Sequence, residues 1–579
     1  MKDWKEQLKD VKRILRDAVH DRERDEKLSK VDFEPPKSRL CRGGATSKRD
    51  GEAEGAPRPA SVPSKVADGE IDVRPRSVPT ATGRVHRDAT PGSVSQSSDH
   101  SSVPLNRTTT PPDFRPRVDA GRSLVMPAWI HTGRSLQHPS HQGGRAAPMV
   151  VRIGLDFGTA FTKVAIRAGA DLVPVDWSAV TGDSSVAGRY VLPGFVRRTS
   201  NGEYCWRRCA DGEIVGNLKL SVIERDDSDE CPTATLAYLA LVIRYTRAFL
   251  YRDPDVGRKL VGRSLRWELN IGCPTEPHEK PEVIELLRRI ARTAWRMASV
   301  DDLCEPNIAA AWRSDEADVG LETEPGVVPE FVAQIAGYLG SPQVSAGLHA
   351  LIDIGAATLD VATFNVVLPN NQDSSPRVPI FFSAVRRLGT HYLYHNRHYK
   401  LDLDFAWDDA APVEPADGFA KRYGRRPNEV DTIDSEFVNK VAKCIANVID
   451  GTRTNTRGVT EQRTRLGEYP KGSVWREGLP IFVTGGGSGC ELYRRAIGAG
   501  QLDLLRRIGS SSRFRFIEMD PLGAKFPHFG TEIRGRLTVA IGLTEDAENI
   551  ARVVPHRDIE PITRTVKERV DHTELYGDR

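Results

Sequence analysis

Hydrophobic and polar positions follow three different patterns along the chain. Over residues 1–30, Trp4, Leu8, Val11, Leu15 and Val19 recur every three or four positions among charged residues, which predicts an amphipathic helix. A lone helix cannot bury that stripe itself, so it either docks on a partner protein or packs back on its own domain. Residues 31–149 show no sustained period and are rich in Ser, Pro, Thr, Gly and Arg. Such a segment buries too little surface to offset its ordering entropy and reads as a disordered linker, with one short apolar cluster at Leu124, Val125, Met126, Trp129 and Ile130.

From residue 150 the apolar runs become dense. Two β-branched runs, 151–156 and 162–166, flank Phe157, Gly158, Thr159 and Ala160 and predict strand, tight turn, strand. Helices are predicted over 232–250, with Leu236, Leu239, Ile243 and Leu250 on one side, and over 281–299. Further strands are predicted at 268–272, 348–354, 359–366, 378–383 and 479–484. Strands interleaved with helices place the chain in the α/β class.

With 579 residues the chain exceeds what one core usually serves. Its 39% hydrophobic and 28% charged residues are globular in balance, and no run approaches the ~20 apolar residues of a membrane span. The amino terminus lacks the apolar core of a secretory signal, and the eight cysteines are sparse. Cys205 and Cys209 are the closest pair, without a nearby His or second pair, so reduced thiols in a cytoplasmic protein are expected rather than a zinc site. Net charge is +3, and residues 1–149 carry 27 Lys and Arg against 20 Asp and Glu. That excess describes a solvated tail better than a nucleic-acid arm, and neither nucleic acid nor a membrane is expected as partner.

Three segments carry the candidate chemistry. In Ile153-Gly154-Leu155-Asp156-Phe157-Gly158-Thr159, an acid ending a buried strand can hold a hydrated magnesium ion, while Gly158 and Thr159 let backbone amides and a hydroxyl reach a phosphate. Alone, this is also an ordinary hairpin turn. The second segment, Leu351-Ile352-Asp353-Ile354-Gly355-Ala356-Ala357-Thr358-Leu359-Asp360, repeats the arrangement about 200 residues later and suggests two related lobes pinching one polyphosphate. In the third, a strand runs into Gly485, Gly486, Gly487 and Gly489, leaving backbone against which a flat ring can lie, or simply a flexible connection.

In this order the segments resemble the phosphate-1, phosphate-2 and adenosine motifs of the superfamily of sugar kinases, DnaK-type chaperones and actins. The likeness is closest to the DnaK-type ATPase domain, in divergent members lacking the peptide-binding domain, and covers about 390 residues. It implies a two-lobed actin-like ATPase fold of duplicated ribonuclease-H-like subdomains around a nucleotide cleft, with lobe I at 150–345, lobe II at 346–546 and a polar tail at 547–579. ATP or ADP and Mg2+ are the implied cofactors. By the same resemblance Asp156 and Asp353 hold the metal through water, and Thr159 and Thr358 contact the transferred phosphoryl group. Glu330, 23 positions before Asp353, matches the catalytic glutamate that opens a connecting helix, and with Asp360 it would orient the attacking water. Glu305 matches that signature better by letter but not by spacing. Lys219 best resembles the phosphate-binding lysine, with a surface lysine as the competing reading. Residues 537–543, with Gly542, resemble a second connecting helix.

Departures from the family pattern temper the expectation. Ala356 and Ala357 replace two glycines, and Gly489 stands where chaperones place an arginine. Only about 35 residues follow residue 543, too few for a client-binding β-sandwich. The leading expectation is therefore a slow Mg-dependent ATPase acting as a chaperone-like conformational switch, read by a protein partner held through the amino-terminal segment. The alternatives are an actin-like filament-forming ATPase, a small-molecule kinase, or a scaffold that binds ATP without hydrolysing it.

Overall fold

The computed structural model describes residues 124–559 apart from 142–145, 187, 207–211, 224–228, 315–319, 370–374, 404–412, 457–473, 509–512, 518–530 and 547–549. The helix expected over 1–30, the linker up to 123 and residues 560–579 lie outside the described residues.

Lobe I is built on strands β1 (Ala146–Phe157), β2 (Phe161–Ala168) and β3 (Asp171–Pro174), with the short β4 (Leu192–Pro193) paired to β2. A separate small sheet holds β5 (Val196–Arg198), β6 (Tyr204–Cys205) and β7 (Glu213–Val215). Helix α1 (Thr233–Arg252) precedes β8 (Arg263–Cys273), and helices α2 (Pro281–Met297) and α3 (Glu305–Arg313) lie between β8 and β9 (Gly326–Pro329). The main sheet runs in the order β3-β2-β1-β8-β9. Its first three strands form an antiparallel meander, whereas β8 and β9 are parallel to β1, as helical crossovers require. Proline at the first position of α2 sets that helix's start, and its Leu286, Leu287, Ile290, Ala294 and Trp295 turn inward.

Helix α4 (Glu330–Leu339) leads into lobe II, which contains β10 (Gly347–Ile354), β11 (Leu359–Val366), β12 (Arg377–Arg386), α5 (Thr390–Lys400), α6 (Ala416–Arg422), α7 (Pro427–Thr456), β13 (Leu479–Thr484), α8 (Glu491–Ile508), β14 (Phe514–Phe516), α9 (Thr531–Gly542) and β15 (Arg552–Val554). Its sheet order is β14-β13-β10-β11-β12-β15. Strands β10, β11 and β12 are antiparallel, and β13 and β14 continue parallel to β10. The two lobes thus repeat one ribonuclease-H-like order and polarity, a duplication that residue identity hides. The chain has the two-lobed actin-like fold expected of it.

The connecting helices are exchanged between the lobes. Phe331, Val332, Ile335, Tyr338 and Leu339 of α4 pack with Leu351, Phe364 and Phe482 of the lobe II sheet, although α4 precedes that sheet in the chain. Leu537, Ala540 and Ile541 of α9 pack instead with Ala165 of lobe I. A boundary at 345/346 drawn along the sequence therefore separates α4 from the sheet it covers. The helices meet where Gly542 faces α4: a Cβ there would stand 2.0 Å from the Ala333 carbonyl oxygen. Only glycine permits that approach.

Two boundaries expected from sequence shift. Residues 124–141 are a folded strap rather than linker. Leu124 and Ile130 are buried in the lobe I core, Trp129 packs against Tyr245 at a centroid distance of 5.0 Å, and the strap carbonyls of Ser135 and Leu136 accept from Tyr251 Oη (2.8 Å) and Trp267 Nε1 (2.7 Å). Strand β1 likewise begins at Ala146. At the other end, the tail expected over 547–579 contains a sixth strand, because β15 pairs parallel with β12 and Ile550 and Ala551 are buried beside α9. Local composition is polar at both places, and the few apolar residues suffice once a preformed groove receives them. No helix among the described residues is long and apolar enough to cross a membrane.

Candidate active site

A cavity of about 1460 Å³ opens between the lobes, large enough for a nucleoside triphosphate. Both strand-turn-strand segments reach it. In lobe I, Asp156 lies opposite Lys163 across the β1–β2 pair, and the Gly158 amide donates to the Asp156 carbonyl at 3.2 Å. In lobe II, Asp353 lies opposite Asp360 across β10–β11, and the Gly355 amide donates to the Thr358 carbonyl at 2.9 Å. Gly158, Thr159, Gly355 and Thr358 line the cavity, as do Gly485, Gly486 and Gly487 at its lobe II side.

The floor holds three carboxylates and two lysines. Lys163 pairs with Asp156, and Lys219 pairs with Glu330 at the start of α4. Lys219 is 7% exposed, which removes the surface-lysine reading. Burial by itself would lower the Lys219 ammonium, but the Glu330 carboxylate outweighs it and holds the lysine charged. Glu330 is raised above the ordinary carboxylate range, first by burial, then pulled back by Lys219 and pushed up again by Asp156. Asp353 is raised by burial, against the nearby Lys163.

Glu305, the first residue of α3, pairs with Arg198 of β5 and does not line the cavity, whereas Glu330 does. Asp360, expected beside Glu330 as a water-orienting group, takes a different place. It does not line the cavity; its Oδ2 accepts from the Thr275 amide at 2.9 Å and the Thr275 hydroxyl at 2.8 Å. Two strong donors beneath the lobes capture the side chain that the family resemblance assigned to the attacking water. Burial raises its pKa to about 7, against the two Thr275 hydrogen bonds.

The glycine run has a steric reason. Gly485 has φ +86°, and a Cβ there would stand 2.2 Å from Asp353 Oδ1 and 2.4 Å from the Ile354 carbonyl oxygen. A Cβ on Gly486 would meet nothing within 4 Å, so that position is simply open. Ala356 and Ala357 do not loosen the second hairpin. Their carbonyls accept from His391 (2.7 Å) and Gly389 (2.9 Å), which ties the turn to the start of α5.

Sequence reasoning missed Lys163 and Gln334. Lys163 interrupts the largely buried strand β2, and Gln334 is a buried polar residue within the apolar face of α4. Those interruptions were the available signal. Gln334 Nε2 donates to Asp353 Oδ2 at 3.0 Å.

Asp353 Oδ1 is buried with no protein partner, an acceptor that invites a cationic or water donor. Asp156 and Asp353 approach from opposite lobes, and among the described residues no three His, Cys, Asp or Glu side chains are grouped to ligate a metal directly. This donor set fits a magnesium ion that keeps most of its water.

No protein-family model matches the chain, and no curated protein matches its sequence. Among solved structures it is similar to MreB 5 of Spiroplasma citri bound to AMPPNP, with 13% identity, 68% of this chain and 94% of that one covered, and a TM-score of 0.35. It is similar also to MreB5 of Spiroplasma citri bound to ADP, at 13% identity, covering 67% and 95%, with a TM-score of 0.34. A third is a non-polymerising mutant of MamK bound to AMPPNP, at 13% identity, covering 67% and 98%, with a TM-score of 0.33. The fold assignment itself stands on the repeated strand order and the exchanged helices.

Proposed function

We propose that this chain binds ATP with magnesium between its lobes and hydrolyses it slowly. The observation that carries the reading is that two equivalent hairpins present Asp156 and Asp353 from opposite lobes to one cavity, with Asp353 Oδ1 lacking a protein partner. Asp156 and Asp353 would hold a hydrated magnesium ion, which would supply positive charge against the negative charge of the phosphates. Lys163 supplies further positive charge at the phosphate end, and the Thr159 and Thr358 hydroxyls with their hairpin amides are donors to phosphate oxygens. Glu330, paired with Lys219, accepts a hydrogen bond from the attacking water and orients it. Closure of the lobes on ATP and release on ADP makes the domain a nucleotide-dependent switch.

What reads the switch divides the proposal. A chaperone-like role has no observation in the described residues that favours it, whereas an actin-like filament has one. Among the described residues strand β14 pairs only with β13, and its Phe516 is 58% exposed, leaving an edge on lobe II able to meet a second copy. We therefore place the filament-forming actin-like ATPase ahead of the chaperone-like switch, with a protein partner at the amino-terminal segment as a separate proposal.

AMPPNP, ADP and ATP with Mg2+ are the ligands to test. At a hundredfold excess over its dissociation constant, a bound nucleotide stabilises the fold by about 2.7 kcal/mol. Absence of any thermal shift with all three would overturn the reading. Sedimentation with and without ATP separates filament from monomeric switch.

A further inference from the structure

Gln334 sits one turn after Glu330 on α4 and is 3% exposed. Its side chain closes a bridge between the connecting helix and two strands of lobe II. Nε2 donates to Asp353 Oδ2 at 3.0 Å, and Oε1 accepts from Thr484 Oγ1 at 3.0 Å. Thr484, at the end of β13, is the register partner of Asp353 in the parallel β10–β13 pair. The amide orientation follows from the chemistry. The NH2 donates to the Asp353 Oδ2 acceptor, and the amide oxygen is left for the Thr484 hydroxyl.

This bridge uses one Asp353 oxygen and leaves the other, Oδ1, buried without a protein partner. The neighbouring Gly485 keeps that oxygen clear, since a Cβ there would stand 2.2 Å from it. We infer that Gln334 is a positioning residue for the cation: it fixes Asp353 so that Oδ1 alone is offered to the hydrated metal of the bound nucleotide. The inference rests on the Mg-ATP reading above and adds a residue to it. Because Gln334 and Glu330 share a face of α4, one helix sets both the carboxylate on the metal side and the carboxylate on the water side. A displacement of α4 against lobe II then moves the metal carboxylate with it.

The test measures metal dependence, because a purely structural glutamine would leave that unchanged. A fluorescent ATP analogue is titrated onto the full chain in EDTA and then at rising Mg2+, for the wild type, Gln334→Met and Thr484→Val. Met keeps the volume and removes both hydrogen bonds; Val keeps the shape of Thr484 and frees the amide. Outer-shell partners typically change metal affinity by about 10- to 100-fold. Gln334→Met is expected to bind metal-free nucleotide within about twofold of wild type and to lose roughly tenfold of the Mg2+ enhancement. Thr484→Val should move the same way by less. Unchanged Mg2+ enhancement in both variants, or equal weakening with and without metal, overturns the inference while leaving nucleotide binding intact. A wild type that binds no nucleotide overturns both readings together. Should Gln334→Met fail to fold by thermal melt, Thr484→Val decides.

Discussion

Thr275 of lobe I donates its backbone amide (2.9 Å) and its hydroxyl (2.8 Å) to one oxygen of Asp360 in lobe II. Asp360 thereby joins the lobes beneath the cavity while its other oxygen stays buried without a partner. Burial raises its pKa to about 7 from an ordinary 3.8. Since the folded-state pKa is raised, the stability this group contributes is fully present below the unfolded value and is lost as pH rises through about 7.

Wild-type stability should therefore fall between pH 5 and pH 8 by an increment that Asp360→Asn lacks. One proton is worth at most about 1.4 kcal/mol per pH unit, so the difference should be on the order of 1 to 3 kcal/mol. Urea unfolding at the two pH values measures it. Equal pH dependence in both proteins would show that Asp360 is already ionised in the fold.

Breaking the Lys219–Glu330 pair should separate stability from chemistry. Lys219→Met leaves a buried carboxylate facing Asp156 and Asp353, and loss of one partner in a buried pair costs on the order of 3 kcal/mol. Glu330→Gln keeps the shape, and its hydrolysis should slow by roughly 10²- to 10⁴-fold with nucleotide affinity retained. Single-turnover hydrolysis beside equilibrium binding is the measurement. Normal turnover in Glu330→Gln would remove it from the water-orienting role.

Gly485 and Gly486 should respond oppositely to alanine. Gly485→Ala meets Asp353 Oδ1 and the Ile354 carbonyl from a left-handed backbone, so both folding stability and nucleotide binding should suffer. Gly486→Ala is sterically free in the protein, so any loss of nucleotide affinity at normal melting temperature reports contact with the ligand. Identical stability for the two variants would contradict the close packing at Gly485.

Truncation should locate the real edge of the domain. Removing residues 1–123 leaves the strap in place; removing 1–141 takes away Leu124 and Ile130, whose burial is worth about 3 kcal/mol together. The second deletion should melt several degrees below the first. Equal melting temperatures would mean that the strap contributes nothing to lobe I.

The sequence by itself determined the two acid-ended hairpins, the glycine run, the α/β class and the opening of α4 at Glu330. The hairpins are written in contiguous residues: β-branched runs make the strands, and Gly158 and Gly355 meet steric demands inside their own turns, whereas the demand on Gly485 comes from Asp353 and Ile354 of β10. Tertiary structure alone decided which charges meet. Asp360 was assigned to a water and is taken by Thr275, 85 residues away, while Asp353 is held by Gln334, 19 residues earlier on α4. It also decided that α4 and α9 exchange lobes, and that the strap at 124–141 and β15 belong to the fold. The physical reason is common to all of these. A buried polar or apolar group takes whatever partner the packed lobes bring within reach, and that choice is made by approach across the fold rather than by spacing along the chain.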